Sequence, residues 1–155
     1  MGRWHRFLRL SQSERWLLFQ AFLLVPLTSL ALRLLGFKRL HAALAHLTPM
    51  DETFVTSEPD ALAKARAITR IVQAAAWHGL FHANCLQRSL ALWWLLRRQG
   101  IEANLQFGVR KLARKFEAHA WVEHEGVVLN DSGDVGERFV AFAGAVDSSL
   151  AGGSQ

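Results

Sequence analysis

The hydrophobic pattern of this chain changes its period at Gly100, and this change decides the class of fold. Before Gly100, apolar residues recur at the spacing of a helix, whereas residues 101–109 alternate between apolar and polar side chains. Two shorter strand-like runs follow, at 118–123 and 127–131. Helices that precede a small antiparallel sheet form an α+β layout. With 51% hydrophobic and 20% charged residues among 155, the chain can bury the core of one domain.

Capping residues define the helix that precedes the sheet. Asn84 is a favourable N-cap and Gly100 a favourable residue just past a C-terminus, which predicts a helix between them. Cys85 then falls in the first turn of this helix. An earlier helix is predicted from Ser57 to near Gly79, because an apolar stripe recurs there at helical spacing.

The sequence predicts three parts in the chain. Residues 1–50 form an N-terminal helical region, in which a short second helix covers 37–47; residues 51–147 form the core, and residues 148–155 form a disordered tail. The first part holds seven Lys or Arg and one acidic residue (+6), and the rest holds eleven and twelve (−1). Nucleic-acid binding is not expected, because such proteins more often spread basic side chains along one folded face.

The N-terminal region contains an uncharged run of 17 residues, Trp16–Leu32, with Arg15 and Arg33 at its ends and Pro26 inside it. Its length is at the lower limit for a membrane span. Three interpretations stay open: a helix buried in the protein or covered by a partner, a helix on a membrane surface, and a true span. Basic flanks beside a Leu- and Phe-rich face suit peripheral contact of residues 1–40 with an anionic membrane, and they suit a partner protein equally well.

Cys85 is the only cysteine in the sequence, which excludes a disulfide within the chain and a zinc site built on several thiolates. A single thiol fits a reducing compartment, so we expect a cytoplasmic location. Taken alone, a free cysteine is most often a small buried residue. His78 and His82 have the spacing for a His/His/Cys zinc site, but Gly79 between them favours the end of a helix, and no metal is expected. His41 is expected on a solvated helix face.

Cys85, His119 and Asp131 form a candidate catalytic triad. A thiol in the first turn of a helix meets the positive end of the helix dipole and unpaired N–H groups, which favour the thiolate nucleophile. His119 lies on the second predicted strand, where it could serve as general base or be a structural histidine. A three-residue turn at 124–126 places Asp131 opposite His119, with the side chains about 5 Å apart. A two-residue turn would put them on opposite faces and leave Asp131 an ordinary turn residue.

Several segments resemble a known family. Residues 119–123 (His-Ala-Trp-Val-Glu) and 129–131 (Leu-Asn-Asp) resemble the His and Asp strands of the transglutaminase-like core. Residues 85–92 (Cys-Leu-Gln-Arg-Ser-Leu-Ala-Leu), 95–101 and 129–132 resemble the leader peptidases of lasso-peptide biosynthesis, and the Arg- and Leu-rich N-terminus resembles their stand-alone form. The resemblance covers nearly the whole chain and implies a papain/transglutaminase-like fold.

The resemblance also implies an activity. Cys85, His119 and Asp131 would be the catalytic residues of a cysteine peptidase that removes the leader from a ribosomally synthesised lasso-peptide precursor through an acyl-enzyme. The Cys85 backbone N–H would be one oxyanion donor. The sequence does not identify the second donor, for which Asn84, Gln87 and Trp77 are weak candidates. The implied partners are the precursor peptide, a small leader-recognition protein and a separate asparagine-synthetase-like lasso cyclase. No cofactor is expected, since the chain has no phosphate-binding loop.

Other surfaces and functions stay open. The basic run 110–115 is expected to be a loop, and its Arg110 and Lys111 are candidates for contact with substrate or an acidic partner. Trp121 is predicted as core by its pattern and is a further candidate for such contact. The same core would also serve a transglutaminase-like acyl transferase or a non-catalytic scaffold in a peptide-maturation complex. The substitution Cys85→Ala separates a scaffold from an enzyme, because only an enzyme needs the thiol.

Overall fold

Three helices form the first part of the fold. The computed structural model describes residues 12–47, 60–78, 83–113 and 115–141. The helices are α1, Gln12–His46, α2, Ala61–His78, and α3, Cys85–Arg98. The predicted start of α2 at Ser57 and the predicted tail at 148–155 lie outside the described residues.

Gly36 interrupts α1. Its backbone (φ 74°, ψ 167°) is not helical, and glycine adopts a positive φ without the steric cost that a Cβ brings. The break separates the uncharged run from the segment after Phe37, so the two helices predicted in this region are both present.

The caps of α3 are those that the sequence predicts. Asn84 Oδ1 accepts a hydrogen bond from the Gln87 N–H at 2.9 Å, and Gln87 Oε1 accepts one from the Asn84 N–H at 3.0 Å. This reciprocal capping box fixes Cys85 as the first residue of the helix. At the other end, Gly100 has φ 71° and the Ile101 N–H bonds back into the last turn, which is a Schellman-type ending.

The second part of the fold is a four-stranded antiparallel sheet with the order β3-β2-β1-β4. The strands are β1, Asn104–Leu112, β2, Lys115–His124, β3, Val127–Val128, and β4, Val140–Ala141. A short helix, α4, covers Val135–Arg138 before β4. Helices followed by an antiparallel sheet confirm the predicted α+β class.

The helices cover one face of the sheet, and a small cluster covers the other. Leu105 and Val122 belong to the main core together with residues of α1, α2 and α3. On the opposite face, Trp121 and Phe139 pack together over Gly108. A Cβ at Gly108 would lie 2.8 Å from the Phe139 Cβ and 3.0 Å from the Trp121 ring, so this packing requires a glycine.

The predicted basic loop is mostly strand. β1 continues to Leu112 and β2 begins at Lys115, and these two residues pair across the hairpin. Ala113 in the connection has φ 54°. The prediction of a loop at 110–115 is therefore wrong, because charged side chains at the exposed end of a hairpin do not interrupt strand pairing.

The turn between β2 and β3 has two residues instead of the predicted three. Glu123 pairs with Val128, and the ladder closes on a turn made of Glu125 and Gly126, with φ 49° and 76°. Positive φ at both positions is typical of a type I′ turn, whose twist matches that of the strands. β3 also ends at Val128, whereas the predicted strand extends to Asp131.

Helix α1 has one buried and one exposed face. Ala21, Val25 and Thr28 point inward and are at most 3% exposed, whereas Leu23 on the outer face is 61% exposed. Within the described residues, one helical segment, Arg15–His46, is long and apolar enough to cross a membrane, a property that core helices of soluble proteins share. One face of the uncharged run is thus buried in the chain's own core and the other is exposed, so the three interpretations of the run stay predictions.

Candidate active site

The start of α3 presents Cys85 with free backbone donors beside it. The first N–H groups of a helix have no partner within the helix. In the capping box, the N–H groups of Asn84 and Gln87 are hydrogen-bonded. Within the described residues, the N–H groups of Cys85 and Leu86 have no hydrogen-bond partner. The half-buried thiol therefore lies next to two donors that can bind a negatively charged oxygen.

His119 and Asp131 form a hydrogen-bonded pair through His119 Nε2 and Asp131 Oδ2. The other carboxylate oxygen, Oδ1, accepts hydrogen bonds from the Ser132 N–H at 2.7 Å and from Arg138 Nη2 at 2.6 Å. Burial raises the pKa of Asp131, but the hydrogen bonds from His119, Ser132 and Arg138 outweigh burial and hold this pKa below its usual value. The carboxylate is thus ionised at neutral pH and can stabilise an imidazolium.

This pair forms by a different route from the predicted one. With the two-residue turn, a continued ladder would put Asp131 on the face opposite to His119. Instead, the Leu129 N–H makes one last bond to the Val122 carbonyl, at 2.9 Å. The Val122 N–H then binds the side chain of Asn130, whose Oδ1 accepts it at 2.8 Å. The chain leaves the ladder at this point, and the bend brings Asp131 to His119.

One buried hydroxyl, that of Ser89, joins the three segments that carry the candidate residues. Ser89 lies one turn after Cys85 and is 0% exposed. Its Oγ donates to the Ala120 carbonyl at 2.9 Å and accepts from Asn130 Nδ2 at 2.8 Å. Ala120 and Asn130 are the sequence neighbours of the other two candidates. Ser89 therefore fixes the spacing of helix, strand and bend at the site.

Aromatic side chains hold the His119 ring on the second face of the sheet. Its centroid lies 4.9 Å from that of Phe139 and 6.2 Å from that of Trp121, with the rings nearly parallel. Nε2 is bound to Asp131, and among the described residues Nδ1 has no hydrogen-bond partner. With Nε2 as the donor to the carboxylate, Nδ1 is the nitrogen that can accept a proton.

The three candidate residues line one small cleft. Its volume is about 30 Å³, which is enough to hold water. The other lining residues come from α2, α3, β2 and the bend after β3: Thr69, Val72, Gln73, Arg88, Leu92, Ala120 and Asn130. Because this cleft is small, a peptide substrate must make most of its contacts outside it.

The other predicted contact residues do not line this cleft. Trp121 is 1% exposed and its Nε1 donates to Glu123 Oε1 at 2.6 Å, so it offers no surface to a substrate or partner and that prediction is wrong. Arg110 is paired with Glu117 at 2.6 Å on the hairpin. Lys111 is exposed on β1. A role for these two cations in partner contact stays a prediction.

In the described part of the chain, no group of three or more His, Cys, Asp or Glu is arranged to hold a metal ion. The alternative zinc site would need His82, which lies outside the described residues.

His41, expected on a solvated face, is instead half-buried, with its ring 4.7 Å from that of Trp93. Burial lowers the pKa of His41, and the charge of Arg97 lowers it further.

The sequence did not reveal several residues of the site. Ser89 and Asn130 lie inside the motifs that carry the family resemblance, so a signal for them existed in Cys-Leu-Gln-Arg-Ser and Leu-Asn-Asp. Gln73 and Arg138 carry no comparable signal. Gln73 reaches the cleft only because α2 packs beside α3, and Arg138 reaches Asp131 only through the fold of α4.

Comparisons with known proteins agree with this architecture. The family model described as the transglutaminase-like superfamily matches residues 25–143, well over half of the chain. The microcin J25-processing protein McjB of Escherichia coli is 36% identical over 64 residues. These residues are 41% of this chain and 30% of McjB, so the chain matches less than a third of that relative's length. No solved structure matches the chain.

Proposed function

The chain belongs to the transglutaminase-like superfamily, and from this premise we propose that it is a cysteine peptidase that removes the leader from a lasso-peptide precursor. The observation that carries the proposal is the shared cleft, which is lined by a helix-start cysteine and by a histidine bound to an ionised carboxylate. The family resemblance of residues 85–92 and the similarity to a protein that processes microcin J25 support a peptide precursor as substrate.

The first half of the reaction would form an acyl-enzyme. His119 takes the thiol proton at Nδ1, and the Cys85 sulfur attacks the scissile carbonyl carbon. Asp131 keeps the proton on Nε2 and stabilises the imidazolium. As the tetrahedral intermediate collapses, His119 gives its proton to the amine of the core peptide. The C–N bond breaks, and the leader remains bound as a thioester to Cys85.

The second half would release the leader. A water in the cleft gives a proton to His119 and attacks the thioester carbonyl, and the thiolate leaves. In both halves the oxyanion would be bound by the Cys85 N–H, with the Leu86 N–H as the neighbouring free donor. Gln73 lines the same cleft and could donate from its carboxamide.

Delivery of the substrate would depend on partners. A cleft of about 30 Å³ provides little binding area, so we expect the isolated chain to cleave generic peptides poorly. A small leader-recognition protein would supply the missing contacts. A separate cyclase of the asparagine-synthetase type would use the freed amine of the core.

The test is cleavage of the precursor peptide encoded in the same gene cluster, in the presence of its leader-recognition protein, followed by mass spectrometry. We expect one cut that yields leader acid and core amine, no cut with Cys85→Ala, and normal cleavage with Ser29→Ala as a control. Cleavage by Cys85→Ala at the wild-type rate would refute the proposal. Leader–amine conjugates as the main product in the presence of added amines would support the acyl transferase instead. No cleavage by the wild-type complex would support the scaffold.

A further inference from the structure

A continuous apolar stripe runs along the outer face of α1. It consists of six large side chains that are each 54–74% exposed: Trp16, Phe19, Leu23, Leu27, Leu30 and Leu34. We call this set the outer stripe. Its ends are 18 residues apart, which is five helical turns and about 27 Å. The stripe therefore stays on one side of the helix over its whole length, a feature typical of membrane or protein contact surfaces.

The opposite face of α1 is occupied by the protein itself. Ala21, Val25 and Thr28 are buried, and the first and last of these are 0% and 2% exposed. They belong to the side of α1 that packs on α2 and α3, and Ala21 and Val25 are part of the main core. A helix held along one face in this way cannot be surrounded by lipid without leaving the domain. If α1 contacts a membrane, its axis would thus lie parallel to the membrane surface.

The basic side chains beside the stripe favour an anionic lipid surface as its partner. Arg15 and Arg33 each precede a stripe residue by one position and are 18 residues apart, so both lie along the same edge of the stripe. Residues 1–50 carry a net charge of +6, against −1 for the remainder. Basic side chains beside an apolar helical face bind the headgroups of anionic lipids while the apolar side chains enter the acyl layer. We propose that the outer stripe binds the surface of an anionic lipid bilayer, with α1 parallel to it.

A second copy of the chain fits this surface less well. Antiparallel pairing of two stripes brings Arg15 of one copy close to Arg33 of the other, because both arginines lie on the same edge. This arrangement places like charges together beside an apolar seam, which is unfavourable.

The stripe also leads toward the catalytic cleft. A groove of about 510 Å³ is lined by Leu23, Leu27 and Leu30 of the stripe and also by Gln87. Gln87 is the residue of the capping box that fixes Cys85 at the helix start. A bilayer in contact with the stripe would thus lie near the first turn of α3, and the active site would work close to the lipid surface.

The first experiment is flotation of the full chain with vesicles of phosphatidylcholine alone or mixed with phosphatidylglycerol. We expect binding to the mixed vesicles only, weakened by salt. Leu27→Glu removes an exposed leucine that would enter the acyl layer and adds a negative charge, so binding should fall about tenfold or more. Leu112→Glu is the matched control, because Leu112 is 57% exposed on the hairpin, away from the stripe, and binding should not change.

A second measurement avoids a destabilising substitution. In a Cys85→Ser background, Leu27→Cys and Leu112→Cys are labelled with an environment-sensitive fluorophore. Anionic vesicles should increase the emission of the label at position 27 and leave the label at 112 unchanged. Equal binding to both vesicle types, equal responses at both positions, or no response at either would overturn the proposal. A dimer in light scattering that Leu27→Glu dissociates, without vesicle binding, would assign the stripe to a second copy.

Discussion

The substitution Ser89→Ala is the sharpest test of how the site is held together. The Ser89 hydroxyl is 0% exposed and makes two hydrogen bonds, to the Ala120 carbonyl at 2.9 Å and from Asn130 Nδ2 at 2.8 Å. Alanine fits the same space but removes a partner from the Ala120 carbonyl, which is buried, and from the Asn130 amide, which is half-buried. Each such group costs about 1–3 kcal/mol, so we expect a loss of about 3 kcal/mol in the free energy of unfolding. For a domain of this size the melting temperature should fall by roughly 6–12 °C.

The substitution should also impair catalysis below the melting temperature. Ser89 spaces the helix of Cys85 from the strand of His119, and a misplacement of about 1 Å at an active site can lower the rate 10²-fold. We expect kcat/KM for precursor cleavage to fall roughly 10–100-fold, mainly through kcat, while the protein remains folded.

Urea unfolding and precursor cleavage at a temperature where both proteins are folded measure the two effects. Ser29→Ala is the matched control. Among the described residues the Ser29 hydroxyl bonds only to the Val25 carbonyl within α1, at 3.1 Å, and its loss should cost less than about 1 kcal/mol. If Ser89→Ala equals this control in stability and rate, the reasoning about the buried hydroxyl is wrong.

Three further predictions concern other parts of the site and core. Gly108→Ala should lower the free energy of unfolding by about 1–3 kcal/mol in urea titrations, because its Cβ would lie 2.8 Å from the Phe139 Cβ, whereas Gly136→Ala, with no atom within 4 Å, should not. Asp131→Asn should lower kcat for precursor cleavage about 10⁴-fold with little change in KM, because the imidazolium loses its counter-charge. Burial, and then the charge of Arg97, lower the pKa of His41 below 6.5 in the folded state, so the unfolded chain binds a proton more readily than the folded protein. The free energy of unfolding should therefore fall as the pH drops through 6.5. In urea titrations between about pH 7.5 and 5.5, His41→Phe should make this fall smaller.

Local signals in the sequence were sufficient to predict α3 and the position of its cysteine. Asn84 and Gly100 act through hydrogen bonds within a few residues, so their effect does not depend on the rest of the fold. The alternating pattern of β1 and β2 was equally clear. The length of the turn between β2 and β3 was not clear from the sequence, because Glu-Gly is compatible with two-residue and three-residue connections. The choice between them depends on strand twist and pairing.

Tertiary packing determined the rest of the site. The contact between His119 and Asp131 was predicted from a regular ladder, but it exists because Asn130 replaces a backbone partner and the chain bends. Neither the Asn130 side-chain contact nor the bend produces a periodic pattern or a fixed spacing in the sequence. The exposure of the outer stripe was also not predictable, since a run such as Trp16–Leu32 reads the same whether one face or both are buried.

The most direct test of the central claim is the rate of precursor cleavage by Cys85→Ala, His119→Ala and the double variant, measured with the wild type under one set of conditions. Residues that act as one catalytic unit lose activity together, so the three variants should be equally slow and the double variant no slower than either single one. Cleavage by His119→Ala at the wild-type rate, or losses that multiply in the double variant, would contradict a shared mechanism at this cleft.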